Sequence, residues 1–103
     1  MSGIFLFNAR LGIDVPALNK EWDKYSNAEQ QEILLKWEKI RGAIPDRIKE
    51  LEKSIDMKQA MLSDESDFSI SCRLNSEIAD LASTINDLWL WYRTNEDISN
   101  KMH

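Results

Sequence analysis

The chain has 103 residues, 43% of them hydrophobic and 30% charged, with a formal net charge of −5. That balance describes one small globular domain rather than a disordered segment, and a domain of this size buries only part of its apolar surface. Three Gly and two Pro are too few for a many-turned all-β fold, and an acidic chain without a Lys/Arg-rich run is a poor ligand for nucleic acid.

Residues 1–13 form an apolar arm, Ile4-Phe5-Leu6-Phe7 followed by Leu11 and Ile13, with Gly3 and Gly12 near its ends. With no second strand evident, the expectation is an extended arm lying in a groove of a helical body. Its apolar run is too short for a signal-peptide core and has no basic residue ahead of it. No other stretch approaches the ~20 apolar residues that span a bilayer, so the expected setting is the cytoplasm, away from membranes.

Residues 15–41 read as short helices. Asp14 is a candidate N-cap with Pro16 in the first turn, and Leu18, Trp22 and Tyr25 fall on one helical face. Ser26-Asn27-Ala28-Glu29 has the form of a capping box and predicts a new helix start. The apolar face that follows is Ile33, Trp37, Ile40 and Ile44. Gly42-Ala43-Ile44-Pro45-Asp46 predicts a break. The alternative is one kinked helix, because apolar residues keep helical spacing from Ile33 through Ile55.

Residues 45–94 carry the clearest pattern. One apolar stripe reads Ile44, Ile48, Leu51, Ile55 and Leu62; another reads Ile70, Leu74, Ile78, Leu81, Ile85, Leu88 and Tyr92. Between them Ser63-Asp64-Glu65-Ser66-Asp67 has no apolar residue. The spacing predicts an all-α fold built on a long antiparallel, coiled-coil-like helical hairpin, with helices over about 45–62 and 69–94. One or two shorter N-terminal helices pack at one end.

Antiparallel pairing sets Ile55 by Ile78, Leu51 by Leu81 and Ile44 by Leu88. Lys58 then interrupts the seam opposite Leu74, and its ammonium is expected to reach Glu77 or Asn75. The end of the hairpin near the turn has only two helices. Its seam residues Ile55, Leu62, Ile70, Leu74 and Ile78 are therefore the candidate protein interface.

Reactive side chains are sparse. Cys72 is the only cysteine, so no internal disulfide forms, and a lone thiol fits a reducing compartment. Its expected setting is a small, partly buried helix position. His103, the only histidine, stands at the last position and is expected to be too loosely held for catalysis. Asp64, Glu65 and Asp67 lack the length and Gly of a calcium loop and are expected to support the following helix start. No catalytic, cofactor or metal site is expected. In Leu88–Tyr92 apolar residues cover the whole helix, which predicts burial of most of them, with at most one of Trp89 and Trp91 left for a partner.

Tyr92-Arg-Thr-Asn-Glu96 resembles the late Tyr-x-x-x-Asp/Glu pattern of the small Trp-x-Gly helical-hairpin substrates of type VII secretion. The Trp-x-Gly turn of that family is absent, since Trp37 is followed by Glu-Lys-Ile-Arg before Gly42, and Tyr25–Glu29 fits the loose pattern too. Ser76-Glu77-Ile78-Ala79-Asp80 resembles, without its Gln and with different spacing, the Ser-Gln-Glu-Leu-Asp motif of the sporulation aspartyl-phosphate phosphatases. These resemblances imply two alternatives: an exported hairpin or its helical partner, and a small phosphatase relying on Glu77 or Asp80. The leading expectation is a non-enzymatic protein–protein interaction module, self-associating as a dimer through the hairpin.

Overall fold

The computed structural model describes residues 5–93. In chain order these form β1 (Phe5–Asn8), β2 (Ile13–Pro16), a 3-10 turn (Trp22–Lys24), α1 (Asn27–Asp64) and α2 (Phe68–Tyr92). The principal extents, 59 × 21 × 21 Å, follow from α1: 38 residues at about 1.5 Å each span nearly that length.

α1 begins where the capping box predicts. Ser26 Oγ accepts the Glu29 amide at 3.1 Å, and Glu29 returns a carboxylate oxygen to the Ser26 amide at 2.8 Å. Two orphan donors of the first turn are thereby satisfied. These bonds favour the charged carboxylate and hold the Glu29 pKa below its ordinary value of 4.5. α2 is capped by Asp67, whose Oδ1 accepts the Ile70 amide at 3.2 Å. Glu65 accepts the Asp67 amide at 2.9 Å. The acidic residues between the helices thus build the turn.

The two helices pack antiparallel, as the stripes predict. Two side chains of α1 tie the register. The Lys58 ammonium lies 3.0 Å from Glu77, and Arg41 donates to the Tyr92 carbonyl at 3.2 Å. The tie points are nearly the same number of residues apart on each helix, so the pairing holds along the length. Arg41 also places a cation at the C-terminus of α2, where free carbonyls favour one.

The break expected at Gly42–Asp46 does not occur. α1 runs through it with Pro45 inside the helix. Ile33, Trp37, Ile44, Ile48 and Leu51 form one buried row across the proline. Ending the helix there would expose that row, a loss larger than the ~3 kcal/mol that proline typically costs inside a helix. The short helices expected over residues 15–41 are likewise replaced. Asp14 and Pro16 belong to β2, Trp22–Lys24 is a single 3-10 turn, and α1 takes everything from Asn27 onward.

The N-terminal arm is a β-hairpin rather than a lone extended segment. Phe5 pairs with Pro16 and Asn8 with Ile13 in an antiparallel register. The turn closes through the Gly12 amide to the Asn8 carbonyl at 2.7 Å, and the Leu11 amide donates to Asn8 Oδ1 at 3.0 Å. Gly12 has φ +77°, a left-handed conformation that glycine adopts without penalty. The arm does lie on the helical body. Arg47 donates to the Leu11 carbonyl at 2.9 Å, and Arg10 reaches Asp87 at 2.7 Å and Ser83 at 3.1 Å on α2.

These elements close one core. Phe5, Leu11, Ile13 and Tyr25 pack with Ile33, Trp37, Ile44, Ile48, Leu51 and Leu88. Trp37, 1% exposed, meets Trp91 edge-to-face with centroids 5.6 Å apart. The Tyr25 hydroxyl donates to Asn19 Oδ1 at 2.9 Å and accepts the Asn19 amide at 3.1 Å, so its polar end is satisfied inside.

Candidate interaction surface

The core stops short of the α1–α2 turn. Beyond Leu51 on α1 and Leu81 on α2, only Leu74 is buried. Of the five expected interface residues, Ile55, Leu62, Ile70 and Ile78 are half-buried in the seam. Leu74 is enclosed by the chain itself and offers no surface.

Lys58 behaves as its place in the seam predicts. Its stem is largely covered, its side chain is 30% exposed, and the ammonium turns outward to Glu77. On one flank a groove of about 440 Å³ runs between the helices, lined by Glu52, Ile55, Asp56, Ala82 and Ile85.

Sequence patterning overlooked the large apolar residues off the seam. Met57, Met61 and Phe68 are 68%, 56% and 80% exposed. They lie in the last part of α1 and the first residue of α2, around the half-open end. The available signal was an apolar residue outside the stripe on a helix otherwise charged there.

At the other end burial of the aromatic segment falls short of the expectation: of Leu88–Tyr92 only Leu88 is fully buried, and Trp89 and Leu90 are 39% and 41% exposed. Trp91 is half-buried on Trp37, whereas Trp89 is exposed and meets Tyr92 edge-to-face at 5.5 Å. Glu77 is engaged by Lys58. Asp80 is exposed, and its carbonyl accepts the Thr84 hydroxyl at 2.9 Å. Cys72 is exposed rather than partly buried. His103 and Glu96 lie outside the described residues.

Among the described residues no group of three or more His, Cys, Asp or Glu could hold a metal ion. No described helix is long and apolar enough to cross a membrane. No family model, curated protein or solved structure matches the chain.

Proposed function

We propose that this chain is a small non-enzymatic interaction module that self-associates through its helical hairpin, with a dimer as the working unit. The observation that carries the reading is the thin cover at the turn end of the hairpin. The opposite end packs the β-hairpin and the segment before α1 onto one core, although Leu6, Phe7, Leu35, Trp89 and Leu90 are exposed there. The turn end has only the two helices, and it keeps Met57, Met61 and Phe68 exposed beside half-buried Ile55, Leu62, Ile70 and Ile78. Covering such side chains returns about 25 cal/mol per Å² of apolar surface, and a second helix pair supplies the cover in a four-helix arrangement.

The disposition of the acids favours binding over catalysis. Asp67 caps a helix, and Glu77 and Asp87 are held in ion pairs with Lys58 and Arg10. A lone exposed thiol at Cys72 favours a reducing compartment such as the cytoplasm.

Sedimentation equilibrium from about 5 to 500 µM, the range that brackets micromolar affinities, tests the reading. The weight-average mass should climb from one chain toward two. A mass that stays at one chain throughout refutes self-association.

A further inference from the structure

Gly42 and Pro45 stand inside α1 at the point where its two halves change neighbours. The Arg41 side chain reaches the Tyr92 carbonyl at the end of α2. From Arg41 toward the turn, α1 lies along α2. Before Arg41, Trp91 still meets Trp37, and residues 5–25 supply further cover. Lys36 stands 5.1 Å from the centre of the Phe5 ring, and Gln30 donates to the Trp22 carbonyl at 2.9 Å. Tyr25 is buried in one cluster with Ile33 and Trp37. The first half of α1 thus belongs with the N-terminal segment, and the second half with α2.

The backbone is weakest at the same point. Pro45 has no N–H, so the Arg41 carbonyl lacks its helix bond to residue 45, and proline is a usual site of a sharp helix bend. Gly42, exposed and three residues earlier, adds the backbone freedom of glycine. Even so, α1 runs through as one helix. The β-hairpin lies across the weak point. Its open end is at Phe5, by Lys36, before Gly42. Its tip is tied beyond Pro45, where Arg47 donates to the Leu11 carbonyl at 2.9 Å and Arg10 reaches Asp87 at 2.7 Å and Ser83 at 3.1 Å. The turn is shaped to this contact, since a side-chain carbon at Gly12 would collide with the Arg47 guanidinium.

We infer that α1 is a hinged rod, with its hinge at Gly42–Pro45 and the β-hairpin as the splint that keeps it straight. Release of the tip lets residues 5–41 swing as one body against the paired parts of α1 and α2. Arg10 and Asp87 are 49% and 41% exposed, so salt weakens their pair. The tip also buries Leu11, so loss of the polar ties populates the bent form without abolishing the straight one. The device is internal to one chain and stands apart from the self-association proposed above.

Distances between spin labels on Gln31→Cys and Gln59→Cys, both exposed positions of α1, test it. The full chain carries Cys72→Ser and is diluted into excess unlabelled chain, so only pairs within one molecule are read. The parent should give one narrow distance of about 42 Å, the span of a straight helix at about 1.5 Å per residue. Arg10→Ala with Arg47→Ala removes the polar ties of the tip. It should broaden the distribution toward distances shorter by about 3–6 Å, the shortening that a bend of roughly 40–60° at the hinge produces. Adding Gly42→Ala and Pro45→Ala restores the missing helix bond and should return the narrow distance. The parent in about 1 M NaCl should broaden in the same sense. A tip variant with normal helicity by circular dichroism and an unchanged distance overturns the splint. Broadening that Gly42→Ala and Pro45→Ala leave in place overturns the hinge. Should the tip variant lose helicity, the salt measurement decides, and an unchanged distance there overturns the inference.

Discussion

Replacing Lys58 by Leu tests the hairpin at its one polar seam position. The Lys58–Glu77 pair is 3.0 Å long with side chains 30% and 42% exposed, so solvent screens it and its contribution is about 0.5 kcal/mol, at most ~1. Glu77 left alone keeps enough contact with water to avoid a large desolvation penalty. Against that loss, full burial of a Leu side chain is worth roughly 1.5–3 kcal/mol. The site is only partly covered, and the lysine stem already shields some of the same surface, so about half of that gain is realised. The balance favours Lys58→Leu by about 0.3–1 kcal/mol, or roughly 1–8 °C in Tm for a chain this size. Urea unfolding should show a higher midpoint at unchanged slope. A second expected outcome is stronger self-association, because the substitution removes an ammonium from the half-open end. Loss of stability beyond about 0.5 kcal/mol would refute the reasoning, because the ion pair would then outweigh the burial it displaces. A cycle with Glu77→Gln isolates the pair itself.

Three further outcomes follow from the geometry. Gly42 is exposed inside α1, and an added methyl would meet nothing within 4 Å, so Gly42→Ala should raise stability by about 0.5–1 kcal/mol in urea unfolding. A loss there would mean that α1 relies on glycine next to Pro45. Gly12→Ala should lower stability by about 1–3 kcal/mol, because φ is +77° and the new carbon would run into the Arg47 side chain that holds the Leu11 carbonyl; an unchanged midpoint would show that the turn is not constrained. Glu29 has a depressed folded pKa, so its contribution is present above the unfolded value near 4.5 and fades as pH falls through the folded value. Glu29→Gln keeps a capping side chain and should flatten this part of the acid dependence of helicity, read by circular dichroism; an identical acid profile would remove the capping box from the account.

The hairpin was legible because burial along it repeats at one period on both helices, and Ser26–Glu29 was legible because a capping box is local chemistry. Lys58 was legible for a related reason: a cation on an apolar stripe has few places to put its charge, and Glu77 is one of them. The β-hairpin was hidden because its strands are four residues each and do not alternate. Phe5 is buried, yet Leu6 and Phe7 are 59% and 67% exposed. What makes the hairpin is Asn8 and Gly12 closing the turn, together with the Arg10 and Arg47 contacts to the helices, which are distant in sequence. Gly42 and Pro45 misled for the opposite reason. Their local signal is strong, but the row from Ile33 to Leu51 needs a continuous helix to stay buried, and tertiary burial exceeds a single proline penalty.

The same contrast bears on the interface. The sequence stripes identify residues that face the other helix of the hairpin, and such a residue is for that reason partly spent within the chain, as Leu74 is completely. Surface left for a partner has to come from apolar or uncharged residues that the intramolecular seam does not use. On α1 these include Leu35 near its start and, near its end, Met57 and Met61, four residues apart on one face. On α2 they form a continuous row from Phe68 to Trp89. A helix of 25 residues with one stripe packed on α1 leaves the exposed row from Phe68 to Trp89 outside the intramolecular seam, so any partner surface on α2 has to be sought there rather than among the stripe residues.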